Sequence, residues 1–392
     1  MTGELVKGFR DYSGEEAEKR EAIRKILVEA FERYGFMPAE TPIIEYEDFV
    51  KGANQNDEAV SDIFKLKDRG NRKLALRYEF TFQLKRLIEN KKLPYKRYQI
   101  GVVFRDEPVS ETRFRQFTQC DIDTIGSTIK DEAEILALTS EVLKNLGVEP
   151  IILINNRKLL NEILDDNNIK EKDKEQVLRE IDKYDKLPEE QVRALLRKLD
   201  AENVLDSLKK GEKYFSQFNS YKDAISLIEY CKAYGIKVNF APSVVRGLSY
   251  YNGSVFEVKA KGIKDTIMGG GSYIINEIQS TGISFGLERL CVVAKLNKDK
   301  EKWLIISLDQ DREAIKICDN LRKQGKSVCV YYGKPSKALE YANSCKIQKV
   351  VFVGAKEVKT KKFKTKDMIT GKQKTLVVQK VTKKNIVLKR NP

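Results

Sequence analysis

The stretch from Tyr98 to Gly126, YQIGVVFRDEPVSETRFRQFTQCDIDTIG, sets the tightest limits on what this chain can fold into. YQIGVVF is rich in strand formers, EPVSETRF is polar and holds a proline that interrupts a ladder, and QFTQCDIDTIG alternates again. The pattern predicts two strands around a charged loop. Alternate residues of a strand share a face, which puts Phe117, Gln119, Asp121 and Asp123 on one side. Three polar side chains along one face do not make a core; they make the floor of a polar pocket. Arg105, Arg113 and Arg115 lie on or beside the loop, with Asp106 and Glu107 at its start. Arginine pairs bidentately with phosphate, so the loop is either the wall of a phosphate site or a surface hairpin laced with salt bridges.

One hairpin does not account for 392 residues, a length that predicts two or three domains. No apolar run approaches the ~18 residues of a membrane span, and the first residues carry no apolar signal-peptide core. The six cysteines (Cys120, Cys231, Cys291, Cys318, Cys329 and Cys345) are scattered without a CxxC pair. That spacing predicts free thiols in a reducing, cytoplasmic setting and no zinc site. Histidine is absent, which removes the usual general base and the commonest metal ligand. Chemistry here must come from positioning and electrostatics, or from carboxylates, tyrosine or lysine. The net charge of +15 is concentrated at the end: residues 356–392 hold 13 Lys and Arg against 2 Asp and Glu. Such a block suits a polyanion, most simply nucleic acid, or is a solvated lysine-rich tail.

Taken in order, Ser13-Gly14-Glu15-Glu16 fits a capping box, and a helix follows to about Tyr34 with Ile23, Ile26, Leu27, Ala30 and Phe31 on one stripe and Gly35 at its end. FMPAETPIIEYEDF is an extended run whose prolines place it at a sheet edge or against a partner subunit. Ile63–Arg77 is a hairpin around Asp68–Asn71. In LRYEFT, Glu79 and Thr81 would share a strand face, either to hold an ammonium group or simply to face solvent. A helix is expected from about Lys130 to Leu146, a short strand at Ile151–Ile154, and then a Lys/Glu/Leu-rich helical insertion to about Gly235. VNFAPSVVRGLSYYNGSVFEVKAKG reads as two strands around an Asn252-Gly253 turn. Gly269-Gly270-Gly271 marks a close backbone approach, and GISFGLERL opens a helix with Glu288 and Arg289 at its start. From Glu301 a β-α-β-α-β rhythm predicts a separate smaller domain with a parallel or mixed sheet.

Together these residues resemble the histidyl-tRNA synthetases, of the class II aminoacyl-tRNA synthetases, over nearly the whole chain. VFRDE…RFRQF is similar to the class II motif 2, GISFGLERL to motif 3, and the first helix with the strand ending at ETP to motif 1. VVRGLSYYNGSVFE resembles the signature of the histidyl type. LRYEFT and INNRKLL are also similar to family counterparts. The resemblance implies an α/β protein: an α+β catalytic domain over about residues 1–300, with an antiparallel sheet flanked by helices and a helical insertion near 156–236, and a C-terminal α/β anticodon-binding domain over 301–392.

It also implies the chemistry. The expected activity is formation of histidyl-adenylate from L-histidine and ATP, the latter carrying Mg2+, followed by transfer to the 3′ end of tRNA(His). By resemblance, Arg105 binds the α-phosphate, Glu107 and Arg113 hold the rest of the nucleotide, Phe117 stacks on adenine and Arg289 clamps the far phosphates. Glu79, Thr81, Gln119, Asp123, Tyr250, Tyr251 and Tyr273 surround histidine, with Asp123 facing the imidazole. Arg246 is the histidyl-type catalytic arginine. No metal bound by protein ligands alone is expected, and a homodimer built on residues 36–46 is. One departure stands out: the family pattern G-G-R-Y-D reads Gly270-Gly271-Ser272-Tyr273-Ile274 here. If the missing aspartate orients the tyrosine, the pocket is looser. The competing expectation is a synthetase-like regulatory subunit of ATP phosphoribosyltransferase or an RNA-binding paralogue. Retention of Arg105, Arg246 and Arg289 and the extra domain speak against it; Ser272 and Ile274 speak for it.

Overall fold

A computed structural model describes residues 3–52, 58–110, 113–246, 250–261, 266–296 and 301–376. Residues 247–249 of the RGLSYY run and 377–392 of the basic block lie outside them. The chain divides into two compact units, Met1–Leu296 and Asn297–Pro392.

The first unit begins with the helix Gly14–Arg33. Its stripe works as expected: Ile23, Leu27, Ala30 and Phe31 are buried and Ile26 packs against them. Fully burying side chains of this size is worth about 1.5–3 kcal/mol each for the larger ones. Gly35 (φ +79°) ends the helix, with the Phe36 and Gly35 amides donating to the carbonyls of Phe31 and Glu32. The start differs from the expectation. Ser13 stands at the N-cap, but its side chain makes no capping bond. Gly14 takes φ +54°, and that left-handed step replaces the entry geometry a capping box requires.

The proline-bearing run is not one strand. It splits into β1 (Met37–Pro38) and β2 (Ile44–Tyr46), which join different sheets. β2 forms a small sheet with β3 (Lys65–Lys67) and β4 (Lys73–Leu76), the last two being the expected hairpin. Asp68 closes its turn by accepting from the amides of Gly70 and Arg72. Residues 77–83 are not a strand. Tyr78, Glu79, Phe80, Phe82, Gln83 and Leu84 are all buried, so this segment has no exposed face and bends through the interior instead of alternating.

The main sheet is built from β1, β5 (Tyr95–Phe104), β6 (Gln116–Ile125), β7 (Pro150–Asn156), β8 (Val238–Phe240), β9 (Tyr251–Ala260), β10 (Met268–Ile275) and β11 (Ile278–Gly286). Their order is β1-β5-β6-β11-β10-β9-β7-β8, antiparallel except for the outermost pair at each edge. Helices Gly14–Arg33, Ile129–Asn145 and Leu287–Val293 cover one face, where Cys120, Ile122, Phe256, Ile283 and Phe285 enter the core. The other face of β6 carries Gln119, Asp121 and Asp123. The Asn252-Gly253 pair is not a hairpin turn. It lies inside β9, at a register shift opposite Ser272 between the pairs Gly271–Val255 and Tyr273–Tyr251, because β8 pairs with β7 and leaves no neighbouring strand for it to turn from.

Six helices between Arg157 and Ala233 form the insertion. Most share a core of their own, with Leu160, Ile163, Val177, Leu178, Leu196 and Leu205, while Leu227 and Cys231 of the last one join the main core.

The second unit holds β12 (Lys302–Ser307), β13 (Ser327–Tyr332), β14 (Lys349–Val353), β15 (Phe363–Asp367) and β16 (Gln373–Leu376) in the order β13-β12-β14-β15-β16. The first three are parallel and the last two antiparallel, a mixed sheet. Trp303 and Ile305 pack with the helix Asp311–Lys323, and Leu304 and Ile306 with Pro335–Ser344. A strand buried on both faces needs the unbroken apolar run that β12 has.

Candidate active site

The antiparallel pairing of β5 and β6 sets Phe117, Gln119, Asp121 and Asp123 along the open face. Gln119 Nε2 donates to Ser284 Oγ at 2.6 Å, and Ser284 Oγ donates to Asp121 at 2.5 Å. Tyr273 O–H donates to Asp123 Oδ1 at 2.5 Å, and Arg97 Nη2 lies 2.8 Å from Asp123 Oδ2. Both aspartates are buried. Burial pushes the Asp121 carboxyl up to about 7 against the pull of Arg97, with Asp123 adding to the rise. It raises Asp123 as well, opposed by Arg97 and by the Tyr273 hydroxyl.

Around this floor stand the other residues expected near histidine. Tyr250 lies 3.5 Å from Glu79 Oε2, its ring 4.8 Å from that of Tyr251 and 5.7 Å from that of Tyr273. Burial, then the Glu79 charge, drives the Tyr250 hydroxyl well above its ordinary value, while a hydrogen bond with Thr81 opposes them. Tyr273 is raised by burial and by Asp123. Glu79 and Thr81 thus face the pocket from an irregular segment, not from a strand.

Arg246 takes φ +64°, a left-handed conformation that a side chain as large as arginine rarely holds. Its guanidinium lies against Gly269, where an added Cβ would sit 2.2 Å from Cζ. The glycine run does meet its neighbours closely: a Cβ on Gly270 would lie 2.1 Å from the Gly282 carbonyl, and one on Gly271 2.5 Å from the Ser254 carbonyl. Arg246 Nη1 donates to Glu257 at 3.2 Å, and Thr266 Oγ1 donates to the other oxygen of Glu257 at 3.1 Å. Arg289 Nη1 donates to the Thr266 carbonyl at 2.6 Å. Burial works against the charge on Arg246, but Tyr251 and Glu257 outweigh it and hold the guanidinium's pKa up. Two arginines are therefore steadied by one Glu257–Thr266 pair. Glu257 is visible in the sequence at the end of the VFE run; nothing in the sequence marks Thr266.

Arg105 lies 5.2 Å above the Phe117 ring, donates to the Tyr78 carbonyl at 3.1 Å and is 3.7 Å from Glu107. Arg115 pairs with Asp106 at 3.0 Å, so two of the loop's arginines are in ion pairs. Arg113 is exposed. Glu288, next to Arg289, turns to the helix side, where it accepts from the Thr118 amide and from Arg20. Arg20, which sequence reasoning did not single out, stacks 3.8 Å over Tyr12 beside a cleft of about 170 Å³ between that helix and Glu288.

The departure at Ser272 and Ile274 falls outside the pocket. Ser272 donates to Glu132 of the helix Ile129–Asn145, and Ile274 is 53% exposed. Tyr273, between them, points the opposite way and is oriented by Asp123. In this chain Asp123, and not the residue at 274, orients the tyrosine, so the premise on which the expected looser pocket rested is absent. Among the described residues, no three Cys, Asp or Glu gather where they would hold a metal, and no helix is long and apolar enough to cross a membrane.

Residues 8–290 match the family model for histidyl-tRNA synthetase, and residues 291–387 that for an anticodon binding domain. The chain is 34% identical to histidine–tRNA ligase 1 of Bacillus cereus over 408 residues, covering 94% of this chain and 96% of that one. It is 32% identical to histidine–tRNA ligase of Clostridium acetobutylicum over 430 residues, covering 96% and 98%. The crystal structure of histidyl-tRNA synthetase from Nostoc sp. PCC 7120 superposes with a TM-score of 0.84 at 25% identity, over 96% of this chain and 97% of that one. The fold is also that of a Bacillus halodurans protein described as an ATP phosphoribosyltransferase regulatory subunit/histidyl-tRNA synthetase, with a TM-score of 0.75 at 22% identity over 90% and 98%.

Proposed function

The chain belongs to the histidyl-tRNA synthetase family, its activity is histidine–tRNA ligation, and we propose that the β6 face with its surrounding arginines performs that reaction as follows. The histidine side chain lies over Gln119 and Asp123, among Glu79, Thr81, Tyr250, Tyr251 and Tyr273. Asp123 accepts from a ring N–H, and a buried acceptor of this kind rejects side chains that leave it unpaired. One oxygen of the ionised histidine carboxylate attacks the α-phosphorus of ATP and the bond to pyrophosphate breaks. No base is needed, so a chain without histidine is not handicapped.

Charge develops on the α-phosphoryl oxygens as that bond forms. Arg246 and Arg105 supply donors there, and Arg289 holds the departing phosphates. Glu107, Arg113 and Phe117 hold the nucleoside. Mg2+ comes with the triphosphate and, when bound, offsets its charge. In the second step the terminal hydroxyl of tRNA(His) attacks the carbonyl carbon of the adenylate, the bond from that carbon to the phosphate oxygen breaks, and AMP leaves, its phosphate taking up the hydroxyl proton. The second unit carries the anticodon contact, where its lysines suit a phosphate backbone. The chain pairs as a homodimer through residues 36–46, where Met37, Ile43, Ile44 and Tyr46 are exposed.

The observation that carries this reading is the buried Asp123–Tyr273 pair on the open face of the sheet, an acceptor for a ring N–H, with Arg246 held at Glu257 and against Gly269 as the cation for a phosphate. The test is amino-acid-dependent ATP–pyrophosphate exchange with all twenty amino acids in turn. Exchange with histidine alone is expected. A folded sample that exchanges with none of them would overturn the adenylating role.

A further inference from the structure

Arg97 of β5 stands directly across the ladder from Asp123 of β6. Its side chain has no solvent exposure (0%). Besides the approach to Asp123 it makes a long contact, 3.4 Å, with the Phe80 carbonyl, and its Nε and Nη1 find no acceptor. We propose that Arg97 is a positioning residue for histidine recognition: it holds Asp123 ionised, in the orientation that the Tyr273 hydroxyl sets, so that the pocket always presents an acceptor to the imidazole. The proposal rests on the assignment of Asp123 to the imidazole made above.

The geometry gives each oxygen of Asp123 its own holder, Tyr273 at Oδ1 and Arg97 at Oδ2. The Arg97 contact is an ion pair and not an aligned hydrogen bond, since Oδ2 accepts none. Its part is therefore charge more than direction. As a stabilising device it is poor. A buried ion pair is often no better than apolar side chains of equal volume, and unsatisfied buried donors add a further cost. A site shaped by packing alone gains nothing from it.

The surrounding charges supply the reason. Asp121 lies one pleat away on the same face, Glu79 faces the same space from the 77–83 segment, and Tyr250, Tyr251 and Tyr273 close it. Burial raises both aspartates, and Arg97 is the cation that pulls both back. Without it, carboxylates sharing one buried space take up protons. A protonated Asp123 no longer offers the ring N–H a charged acceptor.

The experiment is histidine-dependent ATP–pyrophosphate exchange across pH, on full-length Arg97→Met, Arg97→Lys, Asp123→Asn and the Arg97→Met/Asp123→Asn double variant, each checked for folding by thermal melting. Arg97→Met is expected to raise the KM for histidine at least tenfold, to leave kcat within about threefold, and to move the acid limb of kcat/KM at least one unit toward higher pH. Arg97→Lys should restore most of the KM. On the Asp123→Asn background, Arg97→Met should cost nothing more, because its effect passes through the charge already removed. A folded Arg97→Met enzyme with the parent's KM and acid limb overturns the proposal. If that single variant does not fold, a further rise in KM from Asp123→Asn to the double variant overturns it instead. An Asp123→Asn enzyme with the parent's KM shows a different failure, that of the Asp123 assignment itself.

Discussion

Gly269 has a negative φ and strains nothing, yet an added Cβ would fall 2.2–2.5 Å from three atoms of the Arg246 guanidinium. The obstacle is the far end of a flexible side chain and not backbone. Gly269→Ala should therefore cost little in stability, about 1 kcal/mol or less, because Arg246 moves aside. If Arg246 is the catalytic donor proposed above, the change should cost much in turnover, since displacing such a donor by about an ångström is worth ~10²-fold in rate. Denaturant unfolding alongside histidine-dependent pyrophosphate exchange checks both. A variant with unaltered exchange would mean that Arg246 does not act from where it lies. The glycine run was legible as a place of close approach, but the sequence did not say that Gly269 faces the Arg246 side chain, Gly270 the backbone of Gly282 and Ile283, and Gly271 both the Ser254 carbonyl and the Tyr251 ring.

At the scale of elements, β10 separates two tasks by parity. Gly269, Gly271 and Tyr273 belong to the site, while Ser272 and Ile274 belong to the other side. Ser272 donates to Oε1 of Glu132, whose Oε2 finds no partner; burial holds this carboxyl above the usual carboxylate range, with the Ser254 and Ser272 hydroxyls opposing it. Ser272→Ala should therefore destabilise the fold by about 1–3 kcal/mol, the cost of leaving a buried polar group short of a partner, and leave the KM for histidine unchanged. Equilibrium unfolding and exchange kinetics on one preparation measure both. A changed KM with unchanged stability would place Ser272 in the pocket after all. The long, strongly patterned elements were readable: Gly14–Arg33, the β5–β6 pair, and the alternation after Glu301. The short ones were not. The alternation of apolar and polar residues predicts a strand at Glu79 and Thr81, but a segment so largely buried has no exposed face for that alternation to report. Asn252-Gly253 is a strong hairpin signal, and here the same backbone freedom makes a bulge within β9.

At the scale of the whole molecule, the exposed apolar side chains of residues 37–46 flank β1 at the edge of the main sheet and β2 in the small sheet. Ile44 is 50% exposed and its β2 pairs on one side only, with β4. If this strip is the proposed dimer surface, Ile44→Asp should shift the sedimentation equilibrium from a dimer of 45.0 kDa chains toward the single chain, because an unpaired buried charge is costly. The monomer should retain its far-ultraviolet circular dichroism. A parent protein that sediments as one chain at micromolar concentration would remove the assignment.

The sequence by itself determined the kinds of chemistry available. It set the arginines of 105–115, the polar face of β6, the RGLSYY run and the family they resemble, and the change of rhythm that announces a second unit, since all of these are local patterns of residue type and spacing. Only the tertiary structure decided which groups face one another. Arg97 lies on the strand before the loop and reads as one more basic residue in YKRYQ, until the ladder sets it across from Asp123. Ser272 and Ile274 read as a damaged motif until the pleat turns them from the pocket. Charge, burial and hydrogen-bond partners depend on distances between residues far apart in the chain, and those distances exist only once the sheet has formed.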